Sequence, residues 1–130
     1  VADRENDRLQ IFTTEGKFLT QLKGFDKASG VFIDDKDTVY IPEVGGRISI
    51  LSIDGKLLAR WGGEKRSILD FISRVPGDYI SYRDILVKCL KAPGKFIAAH
   101  SCCVDSRGDL YVAEAASGQR VTKYARKIRT

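Results

Sequence analysis

The sequence predicts an all-β protein built from a repeated antiparallel meander, and three observations carry that expectation. The stretch "GVFIDDKDTVYIPE" (Gly30 to Glu43) lies over "SCCVDSRGDLYVAE" (Ser101 to Glu114) without a gap. Each runs on through an arginine into a further segment, "RISILSI" from Arg47 and "RVTKYAR" from Arg120. The opening residues "VADRENDRLQIF" fit the same frame against "IPEVGGRISIL", which sets Arg8 over Arg47. A unit of about 40 residues holding four short strands is the sequence pattern of a β-propeller blade. Leucine-rich and helical repeats do not have this strand content. The expected fold is a partial propeller of between two and three four-stranded antiparallel blades, interrupted by an inserted αα-hairpin.

Residues 1–24 are expected to form a truncated blade. Val1 falls over Ile41 and Val112, inside a second strand, so the first strand of this blade is missing from the frame. The alternation in "RLQIF" buries every second side chain, the period of a packed strand. "TTEGKFLTQL" lies over "SIDGKLLARW" and sets Gly16 over Gly55; glycine after an acidic residue is hairpin-turn chemistry. Residues 25–63 hold the complete blade. Asp34 ends its first strand and is expected to cap the following turn, as Asp105 does in the last repeat; calcium binding there is the weaker reading. Trp61 closes the fourth strand and is expected to pack between blades. Because Arg8, Arg47 and Arg120 recur at one blade position, they predict a repeated structural salt bridge.

The frame fails across residues 64–95. Ile68, Leu69, Phe71, Ile72 and Val75 fall on one helical face, and Pro76-Gly77 ends that helix. A second apolar stripe, Tyr82, Ile85, Leu86, Cys89 and Leu90, follows Ser81 as a cap and closes before Pro93-Gly94. This αα-hairpin reads as a loop elaboration on the rim, with a lid or partner-binding helix pair as the alternative. Residues 96–130 resume the repeat as a final blade lacking its fourth strand.

Composition narrows the function classes. Of the 130 residues, 43% are hydrophobic, enough for one modest core. No run approaches the roughly 20 apolar residues of a membrane span. The net charge of +5 gathers towards the end, where Arg120, Lys123, Arg126, Lys127 and Arg129 crowd together. Only Tyr124 interleaves with them, so the pattern reads as a solvated tail and nucleic acid is not the expected partner. The three cysteines, Cys89, Cys102 and Cys103, are odd in number and show no CxxC spacing. They read as buried reduced thiols, with Cys102 and Cys103 on opposite strand faces, ahead of any metal or disulfide role. The chain holds no methionine, so an excised piece of a longer parent is expected and no compartment can be read from it. A propeller ring needs at least four blades. The expected partners are therefore missing blades of the parent chain or further copies of itself, two copies making a six-bladed ring.

With the frame set, the chain resembles the NHL-repeat six-bladed propellers over nearly all its length outside residues 64–95. "VADRENDRLQIF" matches their "Y-V-A-D-R-E-N-x-R-I-Q-x-F" strand pair. Within that group it is most similar to the peptidyl-α-hydroxyglycine α-amidating lyases, which cleave a peptidyl-hydroxyglycine into a peptide amide and glyoxylate. The resemblance implies zinc held by histidines from three blades, at the channel-facing start of each innermost strand. His100, in "FIAAHSCCVD", aligns with the last of these zinc ligands, and Arg4, in "ADREN", with an active-site arginine that would hold the substrate carboxylate. The zinc would act as Lewis acid in the intact ring. Ala99 stands where those enzymes have proline, and Ser101 where they have an aspartate ligand to calcium, so calcium is not expected here. His100 is the only histidine, and one copy cannot complete a zinc site.

Each residue also has a plainer reading. His100 can serve as a hydrogen-bonded structural residue, and Arg4 can pair with Asp3, Glu5 or Asp7 on a solvated turn. Two functions stay open at this point. One is a lyase-related propeller segment, inactive as an isolated chain. The other is a non-enzymatic propeller scaffold that binds a protein, peptide or other ligand.

Overall fold

The computed structural model describes residues 1–63, 95–115 and 119–127. Alternating apolar and polar residues organise these segments into strands: β1 (Ala2–Asp3), β2 (Arg8–Phe12), β3 (Phe18–Lys23), β4 (Phe32–Ile33), β5 (Thr38–Glu43), β6 (Arg47–Ser52), β7 (Leu57–Gly62), β8 (Ala99–Val104), β9 (Leu110–Glu114) and β10 (Arg120–Tyr124). A single 3₁₀ turn, Arg4–Asn6, joins β1 to β2. Three antiparallel meanders result, in the orders β1-β2-β3, β4-β5-β6-β7 and β8-β9-β10. Among the described residues no α-helix occurs, and no helix is long and apolar enough to cross a membrane. The expected helical pair at 64–95 lies, apart from Lys95, outside the described residues.

Turn chemistry sets the strand ends. Gly16 and Gly55 adopt φ of 87° and 88°, and their amides donate to the carbonyls of Thr13 and Ser52 at 3.0 and 2.9 Å. A side chain at either φ is strained, which is why glycine stands at both turns. Asp34 and Asp105 cap the other recurrent turn, as their spacing predicts. Asp34 Oδ1 accepts from the Lys36 and Thr38 amides at 2.9 Å each, and Tyr40 donates its hydroxyl to Oδ2 at 3.2 Å. Asp105 repeats this with the Arg107 and Asp109 amides and the Tyr111 hydroxyl.

The pleat of the middle sheet supplies two cores at once. Val39 pairs with Leu51 and Ile41 with Ser49, putting Val39, Ile41 and Leu51 on the face that meets Leu9 of the first sheet. Tyr40 pairs with Ile50 and Pro42 with Ile48, and that opposite face meets Leu110 and Val112 of the last sheet. Phe25 is buried in the first core and Phe96 in the second. Trp61 reaches across the second junction, its ring 6.0 Å from Tyr124, so it packs between sheets as expected.

The two described cysteines fall on opposite faces of β8, one half-buried and one exposed. Cys102 turns inward against the second core, where burial, with a lesser effect from Cys103, pushes its thiol up to about 12. Cys103 is exposed, which corrects the expectation of buried thiols: pairing with Tyr111 places it on the sheet's outer face. Cys89 lies outside the described residues.

Candidate functional site

The residues that could carry function cluster where the chain passes from one sheet to the next, and an acid–arginine pair organises each such place. Glu43 is fully buried. Its carboxylate accepts from the Asp26 amide and the Ser49 hydroxyl, and from Arg47 Nε at 2.6 Å. Arg47 Nη2 donates onward to the Gly24 carbonyl at 2.9 Å. The last sheet repeats the arginine and backbone contacts, without a counterpart to the Ser49 hydroxyl among the described residues. Glu114 accepts from the Ile97 amide at 2.6 Å and from Arg120 Nε, while Arg120 Nη2 donates to the Lys95 carbonyl at 2.7 Å. The pair thus grips a carbonyl and the amide two residues on, and the side chain between them, Phe25 or Phe96, drops into the core. In the first sheet Arg8 Nε meets Asp3 at 2.7 Å, with Asn6 and Gln21 as further partners. The predicted repeated salt bridge is present at all three positions. Its second function, holding backbone, left no trace in the sequence because a carbonyl has no side-chain signature.

His100 sits on β8 where the register with β9 slips: Ala99 pairs with Glu114 and Ser101 with Ala113. It is the extra residue of a β-bulge and is exposed. Bulges re-aim side chains and often border functional sites. Ser29 occupies the corresponding place in the preceding repeat, flanked by the Ala28–Glu43 bridge just as His100 is flanked by Ala99–Glu114. Ser29 Oγ lies 3.0 Å from the carbonyls of both Pro42 and Ala99, which ties the two positions together across the junction.

Arg4 belongs to the first sheet's 3₁₀ turn. Its Nε donates to Glu5 at 2.8 Å, and Glu5 also meets Lys27 Nζ at 3.4 Å. Arg4, followed by Lys27, holds the Glu5 carboxyl below the usual carboxylate range. Asp7, in the left-handed region at φ 52°, accepts from the Lys27 amide at 2.9 Å and closes the network. Of the three acids the sequence offered Arg4, the partner is Glu5. Arg4 and His100 stand on different sheets and share no hydrogen bond or ion pair among the described residues.

No family model matches the chain, and no curated protein matches it either.

Among the described residues no three His, Cys, Asp or Glu side chains gather closely enough to hold a metal ion. A catalytic zinc takes three protein ligands, of which His100 could be at most one. What the arrangement offers chemically is an accessible imidazole on a bulged strand and a guanidinium already engaged by a neighbouring carboxylate.

Proposed function

We propose that this chain is a segment of an NHL-type propeller related to the peptidyl-hydroxyglycine amidating lyases and inactive as an isolated copy. The observation that carries this reading is the recurrence of one junction, backbone grip included, between stacked three- and four-stranded meanders. Stacking of that kind is how propeller blades pack. His100 contributes a single channel-side ligand in this reading, the remaining ligands coming from other blades of a parent chain or from further copies. Arg4 would have to leave Glu5 to hold a substrate carboxylate.

The engagement of Arg4 by Glu5 favours a second reading, a propeller scaffold that binds a protein or peptide without catalysis. Native mass spectrometry with metal analysis separates the two. The lyase-related reading expects zinc in a closed assembly of more than one copy, lost in His100→Ala while the assembly persists. A metal-free monomer at all zinc concentrations rules out ligands from further copies; a parent chain lacking two more histidines before innermost strands overturns the reading and leaves the scaffold.

A further inference from the structure

Two clefts lie at equivalent places in the repeat, one at each inter-sheet junction, and their walls differ in chemistry. The first, about 560 Å³, runs between the first and middle sheets and is walled by Leu9, Ile11, Leu22, Val39, Leu51 and Ile53. The second, about 380 Å³, runs between the middle and last sheets. The repeat frame makes Leu22 the counterpart of Trp61, Leu51 of Tyr124 and Ile53 of Arg126. At these positions aliphatic side chains have given way to an aromatic and cationic wall: Tyr40, Trp61 and Tyr124 with Lys36, Arg126 and Lys127.

The charges of that cleft do not balance. Asp34 is the acid on its lining, and its oxygens are taken by two backbone amides and the Tyr40 hydroxyl. Among the described residues the side chains of Lys36, Arg126 and Lys127 form no ion pair, whereas Lys123 nearby is matched by Asp109 at 2.8 Å. Arg126 is held in place all the same. Its amide donates to Asp109 Oδ1 at 2.9 Å, and its side chain lies against Gly108. Three cations with no ion-pair partner among the described residues, bordering rings that include a 39% exposed Trp61, form a lining suited to a flat body carrying negative charge.

We infer that the cleft between the middle and last sheets binds a small organic anion with a planar apolar body, an aryl phosphate or carboxylate. The rings take the flat body and Arg126, with the two lysines, takes the charge. This is independent of any zinc chemistry at His100.

Trp61 is the chain's one tryptophan, so its emission reports on this cleft alone. The probe is phenyl phosphate, titrated into the full chain beside inorganic phosphate and phenol. The expected result is a saturable one-to-one change in Trp61 emission with phenyl phosphate, at lower concentration than with either half. Affinity should fall about tenfold in Arg126→Gln, the loss of one charge-assisted contact, and weaken with added salt. Far-ultraviolet circular dichroism matching the parent establishes that the variant is folded; if it is not, Lys127→Gln is read instead. No saturation in the millimolar range overturns the inference. So does phenol binding as well as phenyl phosphate, or a folded variant with unchanged affinity.

Discussion

Asp34 concentrates three donors on one carboxylate, and its protonation is therefore tied to folding. Burial alone would raise its pKa; the Thr38 and Lys36 amides and the Tyr40 hydroxyl outweigh that and hold it below the usual carboxylate range. The folded carboxyl is thus more acidic than the unfolded one, and the native state binds fewer protons. Its contribution is complete above the ordinary value of about 3.9 and is lost as pH falls through the lower folded value. Asp34→Ala is expected to cost about 1 kcal/mol at pH 7, the scale of a lost cap. In urea denaturation the gap between variant and parent should narrow below pH 4. An equal gap at pH 7 and pH 3 would show that the charge is irrelevant. Asp105, with the same donors in the last repeat, should follow the same sign.

At the scale of elements, the acid–arginine grip decides how one sheet is fastened to the next. Glu43→Ala strands the Arg47 guanidinium, the Asp26 amide and the Ser49 hydroxyl at once, and should cost about 3–5 kcal/mol, as breaking a buried pair does. Asp3→Ala, at the half-buried counterpart, should lower the denaturation midpoint less. Comparable losses at the two sites would mean that burial is not what gives the grip its strength. Much of this level was legible in the sequence. Strand alternation marked the meanders, Gly16 and Gly55 marked turns needing positive φ, and Arg8, Arg47 and Arg120 announced a recurring ion pair. The grip's other half was not legible. Gly24 and Lys95 have nothing in common as side chains, because what each contributes is a carbonyl. The burial of Glu43 and Glu114 was hidden too, since an acid at a strand end reads as solvent-facing until its partners fold over it. For the candidate site, the bulge exposing His100 depends on register with β9, which spacing within one strand does not encode.

For the whole molecule, the middle sheet is the shared wall. Its two faces feed separate cores, while the outer sheets each feed one. Backbone amides of β5 and β6 should therefore exchange most slowly with solvent deuterium, and those of β1 and β10 fastest. Ile41 and Ile48 are both fully buried but face opposite ways. Each change to alanine should cost about 2–5 kcal/mol, and the exchange pattern should divide: Ile41→Ala loosens the first sheet, Ile48→Ala the last. If both variants loosened the same sheet, the two-core description would fail.

The bulge at His100 has a consequence for how such repeats can vary. Ala99 and Ser101 take consecutive partners on β9, so His100 adds length to the strand without occupying a rung of the ladder. Deleting it would leave every later side chain on its present face, whereas a deletion elsewhere in β8 would invert them. Ser29 holds the same supernumerary place one repeat earlier. These are positions where residue identity is uncoupled from strand parity, and a serine in one repeat and a histidine in the next is the kind of divergence that freedom allows.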